Sequence, residues 1–343
     1  MSKTSSSGQR IQSVNPKKTM IGRRRFMGLV GGSAALLAAP RIASAQAYPD
    51  RPVRAIVTFA PGGTADVYAR LACQYLSEKL GQRFVVENIA GATGNRGTVQ
   101  AARSAPDGYT ILFALSTHAV NASVFSNIPY DPIADFVAIN LSVSSTHVVS
   151  VNPSIAVKDA KELVAYLKAR SNQNYAHGGV GTQAHLLAER FRVTQKLDIV
   201  GVPFPGAGPA VQAVVGNHVP IGWSTMASAG PMIAGRQLNA LAVTGKTRSK
   251  LLPDVPTMIE QGFPEIQGDT WVGVMAPKGT PDNVVTIINS AISEFLQQPA
   301  AQQRLAEVGF EVVNKGPAEF SRILVEETGF WKKIVEETGV KVE

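Results

Sequence analysis

The stretch "VRAIVTFAPGGTAD", residues 53 to 66, decides the fold. Its first seven residues are mostly apolar or β-branched, which is typical of a buried strand. Residues 61 to 63, Pro-Gly-Gly, then predict a tight turn. Helical spacing of apolar residues from Thr64 or Ala65 predicts a helix that stops at Gly81. A glycine turn that opens a helix presents backbone N–H groups at the positive end of that helix, so this unit is a candidate anion-binding loop.

The same strand–loop–helix pattern recurs along the chain. "RFVVEN" leads into the loop "AGATGNRG" (90 to 97), and "YTILFALSTHAVNAS" forms a third unit. The apolar stretch "THVVSVNPS" (146 to 154) predicts a further strand, and a second series with glycine-rich loops follows it. A strand at 271 to 276 and an amphipathic helix at 284 to 296 come near the end. The pattern predicts an α/β fold of two lobes, each a mostly parallel sheet flanked by helices, enclosing a cleft.

The charge of the chain is concentrated at its start. The 343 residues carry a formal net charge of +8, but residues 1 to 45 contain eight Lys and Arg and no acid. Without them, 25 Lys and Arg face 25 Asp and Glu. The basicity therefore belongs to the leader and predicts no nucleic-acid partner.

Residues 1 to 45 resemble an export signal. Arg23 and Arg24 stand in "GRRRFMG", an apolar "LVGGSAALLAA" follows, and the small-residue run "ASA" ends at Ala45. This pattern is typical of a twin-arginine signal peptide. Its apolar run is shorter than the roughly 20 residues that a bilayer requires. Cleavage after Ala45 or Ala47 is expected to release a soluble periplasmic protein with no membrane insertion.

Cofactor and metal motifs are incomplete. Cys73 is the only cysteine, and the five histidines offer one nearby pair, His177 and His185, eight positions apart. This spacing predicts no metal site. The "TGKT" stretch (244 to 247) lacks the first glycine of a phosphate loop because Ala240 stands there, so no nucleotide cofactor is expected.

Catalysis is not predicted, although one alternative stays open. The chain has no Gly-x-Ser-x-Gly elbow. His118 and His185 lie beside predicted loops and are candidate bases of a periplasmic hydrolase, but neither comes with an obvious nucleophile or an orienting acid. Asp66 also has two interpretations: it orders its loop by accepting N–H bonds, or it accepts a hydrogen bond from a ligand hydroxyl or a water.

The motif order of the whole mature chain resembles one family. "YPDRPVRAIVTFAPGGTADVYARL", "GGVGTQAHLLAERF", "VPFPGAGPAVQAVVG" and "LAVTGKTRSKLLPDVPTMIEQGFPE" are similar to segments of the Bug, or TctC-like, extracytoplasmic solute-binding proteins of tripartite tricarboxylate transporters. The resemblance implies a type II-like, two-lobed periplasmic-binding-protein fold with crossing strands at a hinge. Lobe 1 would comprise residues 48 to 147 and 267 to 343, and lobe 2 residues 150 to 266.

The resemblance also implies a set of ligand contacts, in which backbone amides of both lobes hold a small organic acid. The chain departs from the family pattern at His177 and at Pro220. His177 and Trp223, which lies near Pro220, are added because either would alter the pocket if it faced the cleft. His185 matches a family element that supports a loop. The predicted ligand-binding residues are Phe59, Pro61, Gly62, Gly63, Thr64, Ala65, Asp66, Ala92, Thr93, Ser116, Thr117, His177, Gly181, Thr182 and Trp223.

The expected function is capture without chemistry. The protein would bind a di- or tricarboxylate or an aromatic acid in the interlobe cleft. It would deliver the acid, as a monomer without cofactor or metal, to the permease subunits of a tripartite tricarboxylate-type transporter. The alternatives are the hydrolase that uses His118 or His185 and a ligand-sensing module for a signalling partner.

Overall fold

The computed structural model describes residue 12 and residues 48 to 342; the predicted signal peptide, residue 12 excepted, and its cleavage sites lie outside the described residues. The strands are β1 Val53–Val57, β2 Phe84–Asn88, β3 Thr110–Leu115, β4 Phe136–Val151, β5 Gln173–His177, β6 Ile199–Pro203, β7 Ile221–Thr225, β8 Asn239–Val243, β9 Asp269–Pro277 and β10 Glu311–Lys315. The helices are α1 Thr64–Leu80, α2 Asn95–Ala102, α3 Thr117–Val124, α4 Ala160–Lys168, α5 Gln183–Gln195, α6 Ala207–Val215, α7 Met226–Ala234, α8 Asp282–Gln297, α9 Pro299–Glu307 and α10 Pro317–Thr338, with a 3₁₀ turn at Ala92–Gly94.

The strands form two parallel sets joined by antiparallel ones. β1 pairs in parallel with β2 and β3, and β5 pairs in parallel with β6 and β7. Between these sets the strand order runs β3-β9-β4-β7, and every pairing of β4 is antiparallel. We call the β1–β3 set with its helices the first lobe and the β5–β7 set with its helices the second lobe. The predicted two-lobed α/β fold class is confirmed.

Local signals explain where several helices begin and end. α1 follows the glycine turn and ends at Gly81, whose φ of 72° is the left-handed conformation that glycine adopts without strain. Asp159 caps α4 by accepting from the Glu162 N–H at 2.7 Å. Thr182 caps α5 by accepting from the His185 N–H at 3.3 Å.

The crossing strand β4 is longer than the sequence predicts. The predicted stretch began at residue 146, whereas β4 begins ten positions earlier, at Phe136. Its first part contains Asn140 and Ser142, both fully buried, and such polar residues interrupt the apolar pattern. The Asn140 amide instead donates to the Oδ1 atoms of Asn289 and Asn314, at 2.9 and 3.1 Å, so the burial is compensated by hydrogen bonds.

Each lobe packs its own apolar core against the sheet. In the first lobe, Val57 and Phe113 of the sheet share a core with Leu76 of α1 and Ile288 of α8. In the second lobe, the core includes the following residues: Tyr175, Trp223, Leu163 and Phe191. Residues from Tyr48 onward form one compact unit, so the predicted lobe limits stay a prediction. No helix within residues 48 to 342 is long and apolar enough to cross a membrane.

Candidate functional site

Five helices begin at the wall of one small cavity between the lobes. From the first lobe come the starts of α1 and α3; from the second come the starts of α5, α6 and α7. We call it the interlobe cavity, and its volume is about 30 Å³. Its lining residues are Phe59, Gly63, Thr64, Leu115, Thr117, His147, Gly178, Thr182, Gln183, Ala184, Ala207, Trp223, Ser224, Thr225 and Thr270.

The interlobe cavity owes its electrostatic character to backbone groups. No Lys, Arg, Asp or Glu is among its lining residues. His147 is neutral at ordinary pH because burial lowers its pKa to about 3. The first N–H groups of a helix have no partner within it, and they carry the positive end of the helix dipole. A cavity bounded by five such ends therefore favours an anion without supplying a formal positive charge.

The loop that precedes α1 is held by Asp66. Its carboxylate accepts from the Gly62 N–H at 2.9 Å, from Arg70 Nη2 at 2.8 Å and from Asn88 Nδ2 at 3.0 Å. Burial alone would raise the pKa of Asp66, but the hydrogen bonds from Arg70, Gly62 and Asn88 together lower it. This geometry corresponds to the first of the two interpretations of Asp66, in which its carboxylate orders the loop.

Direct hydrogen bonds close the lobes over the cavity. The Thr64 and Thr225 hydroxyls are 2.6 Å apart, which joins the start of α1 to the start of α7. Thr93 Oγ1 donates to the Val180 carbonyl at 2.8 Å. The Ala60 N–H donates to the Pro205 carbonyl at 3.1 Å.

Close backbone approach across this contact requires small residues. Within the second lobe, a Cβ on Gly178 would lie 2.8 Å from the Ala207 nitrogen, closer than real Cβ atoms come to other heavy atoms, so the loop after β5 packs directly on the start of α6. A Cβ on Gly208 would lie 2.8 Å from the Pro61 carbonyl oxygen, in the facing lobe. The glycine turns therefore serve lobe closure as well as exposure of N–H groups.

A second, larger cavity lies next to the first. It encloses about 300 Å³ and shares Phe59 and Gly178 with the interlobe cavity. The loop with Ala92 and Thr93 lines it, opposite residues 203 to 205. We call it the side cavity.

The structure places the predicted site residues in three groups. Those that line the interlobe cavity are Phe59, Gly63, Thr64, Thr117, Thr182 and Trp223. Those that line the side cavity are Phe59, Ala92 and Thr93. Those that are not among the residues lining either cavity are Pro61, Gly62, Ala65, Asp66, Ser116, His177 and Gly181.

His177 lies beneath the loop that precedes α5. Its ring stacks on His185 with the centroids 4.1 Å apart, and its Nδ1 is 3.0 Å from the Gly179 carbonyl. His185 Nδ1 in turn accepts from the Gly181 N–H at 3.1 Å. The two rings thus fix the loop, and burial lowers the pKa of both histidines.

Trp223 belongs both to the core and to the cavity wall. Its side chain is fully buried, packs on Phe191 with ring centroids 5.5 Å apart, and lines the interlobe cavity. Trp271, by contrast, lies in the core, where its Nε1–H donates to Glu327 Oε2 at 2.8 Å. Phe59 and Trp223 therefore give the cavity an aromatic lining.

A family model described as "Tripartite tricarboxylate transporter family receptor", TctC, matches residues 68 to 340. The chain belongs to this family. It is similar to the protein BugT of Bordetella pertussis, with 36% identity over 321 residues that cover 93% of this chain and 98% of BugT.

Two solved structures of similar proteins contain bound carboxylates. Rpa4515 of R. palustris with adipate is 31% identical, with a TM-score of 0.83, and the match covers 85% of this chain and 98% of that one. MatC of Rhodopseudomonas palustris with bound malate is also 31% identical, with a TM-score of 0.80 and coverage of 84% and 100%. The TctC fold seen here is that of periplasmic solute-binding proteins.

Each of the two candidate bases of the hydrolase alternative has one ring nitrogen in contact with a backbone group in this TctC chain. His118 is buried, its Nε2 lies 2.7 Å from the Pro132 carbonyl, and it lines neither cavity. Burial lowers its pKa to about 4. His185 Nδ1 is occupied by the Gly181 N–H, and burial lowers its pKa to about 4 as well.

Sequence reasoning missed part of the cavity wall. The residues not identified as ligand contacts are Leu115, His147, Gly178, Gln183, Ala184, Ala207, Ser224, Thr225 and Thr270. For Thr225 a signal existed, because a threonine between a strand and a helix is a common N-cap. His147 is the second residue of the predicted strand at 146 to 154, where no loop or capping signal marks it.

Proposed function

We propose that this protein captures a small organic carboxylate in the interlobe cavity and delivers it, chemically unchanged, to the permease subunits of a tripartite tricarboxylate-type transporter. The observation that carries the proposal is the convergence of five helix N-termini on one small cavity without a charged lining residue. Bound adipate and malate in two TctC-like structures support a carboxylate as the ligand class.

The available donors suffice for useful affinity. A carboxylate accepts up to about four hydrogen bonds, and each bond to a charged group contributes roughly 1.5 to 3 kcal/mol. Three or four of these, reduced by the costs of desolvation and ordering, reach the roughly 8 kcal/mol of a micromolar binder. The backbone amides at Thr64, Thr117 and Ala184 are the donors that we assign to this role.

Ligand entry requires the lobes to separate. The closed cavity of about 30 Å³ has room for two or three water molecules at about 10 to 15 Å³ each. An acid with several heavy atoms enters when the contacts Thr64–Thr225 and Thr93–Val180 open. Closure then presents a changed surface to the membrane partner. We propose that the mature protein acts in this cycle as a periplasmic monomer after removal of its leader.

Calorimetry on the purified mature protein tests the binding step. We expect at least one of adipate, malate, citrate and 4-hydroxybenzoate to bind at micromolar concentration, with the recovered acid unchanged by mass spectrometry. Absence of heat with every acid in a broad panel contradicts the proposal. Turnover of a bound acid that disappears in His118→Ala or His185→Ala would favour the hydrolase.

A matched pair of variants locates the site. Thr117→Asp places a carboxylate at the start of α3, where the ligand carboxylate is expected, and an acid there is favourable to the helix itself. We expect it to abolish binding without loss of stability. Thr286→Asp, in α8 and remote from both cavities, is the control and should bind normally. Equal binding by the two variants would show that the ligand carboxylate does not bind in this cavity.

Experiments in the source bacterium distinguish a transport role from a sensing role. Deletion of the gene should abolish uptake of the labelled ligand, and Thr117→Asp should fail to restore uptake where Thr286→Asp restores it. Unchanged uptake together with altered transcription in response to the ligand would instead favour the sensing module.

A further inference from the structure

Three buried side chains on the interlobe cavity carry polar atoms without a hydrogen-bond partner among the described residues. Both ring nitrogens of His147, the amide nitrogen of Gln183 and the hydroxyl of Ser224 are in this state. The three residues are 1 to 2% exposed, and each lines the cavity. Leaving a buried polar atom unpaired is costly, so an atom of this kind at a binding cavity indicates a partner supplied by the ligand or by water.

The position of His147 is fixed by the crossing strand. Its backbone N–H donates to Thr244 Oγ1 at 3.1 Å, and its carbonyl accepts from the Thr244 N–H at 3.0 Å. On the other side it pairs with Thr225, the residue before α7. A group placed by paired strands recognises a ligand more sharply than one on a mobile loop. His147 therefore belongs to the fixed floor of the cavity, beneath the helix ends that close over it.

The chemistry of this floor is neutral and two-sided. An uncharged imidazole has one N–H donor and one lone-pair acceptor, and the Gln183 amide nitrogen is a donor. Burial keeps His147 uncharged by holding its pKa near 3. The Ser224 hydroxyl can donate or accept, so it suits either kind of ligand group. The two ring nitrogens of an imidazole point in different directions, so one ligand group pairs with only one of them. A carboxylate can only accept hydrogen bonds, so it can pair with the imidazole N–H but not with the lone pair. A hydroxyl can donate to that lone pair and accept from the Gln183 amide, which a carboxylate cannot do.

We propose that His147 and Gln183 recognise a hydroxyl group on the bound acid, so that the protein prefers hydroxycarboxylic acids to the same acids without the hydroxyl. This inference rests on the proposed function, in which the helix N-termini hold the carboxylate. The backbone thus selects the acid group, and the two side chains select the substituent beside it. Neither residue is needed as a catalytic group in this role.

Matched pairs of acids test the inference by calorimetry. The pairs are malate and succinate, lactate and propionate, citrate and tricarballylate, and 4-hydroxybenzoate and benzoate. We expect the hydroxylated acid of every pair that binds to be favoured by roughly 5- to 150-fold, which corresponds to leaving one buried polar group unpaired in its absence. His147→Leu should reduce this ratio to about one while the hydroxyl-lacking acid still binds.

Three further variants control for folding and burial. His118→Leu makes the same substitution at a buried histidine that lines neither cavity, and it should retain the full ratio. If His147→Leu does not fold, Gln183→Leu provides the same comparison, and His147→Gln should retain part of the preference because its amide both donates and accepts. Thermal unfolding of each variant establishes which comparison applies.

The outcomes separate the two hypotheses. No binding by any acid of any pair overturns the proposed function and this inference with it. Binding with a ratio near one in the unmodified protein overturns the inference alone. A ratio that persists in both His147→Leu and Gln183→Leu also overturns it, while the function stands. A ratio lost in these variants and kept in His118→Leu supports it.

Discussion

Substitution of Asp66 by alanine tests how the anion-binding loop is held. The carboxylate is 4% exposed, and its loss leaves the Gly62 N–H without its partner and removes one of the two bonds of the Asn88 amide, which also donates to the Phe59 carbonyl at 3.0 Å. Two bonds to a charged acceptor amount to about 3 to 6 kcal/mol at most. Asn88 keeps its second bond and water reaches the loop, so we expect Asp66→Ala to cost about 2 to 4 kcal/mol of the free energy of unfolding.

The ion pair with Arg70 provides the control. Arg70 is 55% exposed, and an exposed pair of this kind contributes at most about 1 kcal/mol. Urea denaturation of the mature protein should therefore show a loss of 1 kcal/mol or less for Arg70→Ala, well below that for Asp66→Ala. Equal losses in the two variants would mean that the ion pair, and not the loop N–H, is what Asp66 stabilises. A loss below about 0.5 kcal/mol for Asp66→Ala would refute the reasoning altogether.

Three further perturbations have defined outcomes. The folded state lowers the pKa of Asp66 below 3.8, so the unmodified protein should be more stable than Asp66→Asn above about pH 4 and should lose this advantage as the pH falls through the lowered pKa. An advantage that grows on acidification contradicts this sign. Gly208→Ala, whose Cβ would lie 2.8 Å from the Pro61 carbonyl oxygen of the facing lobe, should keep the ligand-saturated protein at its open radius of gyration in small-angle scattering, and normal compaction would show that the loop yields. Trp223→Ala should cost about 3 to 5 kcal/mol in denaturation because it removes a buried indole, and a cost below about 1 kcal/mol would mean that the ring has little core packing.

Local chemistry allowed much of the fold to be predicted. The Pro-Gly-Gly turn at 61 to 63 and the glycine at 81 delimit α1 as the sequence predicts, and the helix at 284 to 296 agrees with α8, Asp282–Gln297. These signals act over a few residues, through the conformations that glycine and proline permit. The candidate anion loop could be found for the same reason, because its N–H groups belong to one turn.

Features that depend on distant partners could not be predicted. The sequence gives no sign that residue 66 would meet Asn88, so both roles of Asp66 stayed open until the two were seen 3.0 Å apart. Trp331 and Phe320 belong to α10, a helix that was not predicted and that packs against α3, α5 and β4. His147 gave no signal because it lies within a strand, where an isolated polar residue has no local meaning. Its relevance comes from the cavity, which residues far apart in the chain create.

A site whose charge comes from the backbone separates affinity from specificity. The helix ends that favour an anion persist as long as the fold does, because every residue except proline that fits there sterically presents the same N–H group. Rpa4515 and MatC share the fold at 31% identity each while their structures contain adipate and malate. In this chain the side chains that distinguish one acid from another are then few. Apart from glycine, alanine and threonine, the lining residues are Phe59, Leu115, His147, Gln183, Trp223 and Ser224. Substitution among these six is therefore expected to change which acid is bound sooner than whether a carboxylate is bound at all.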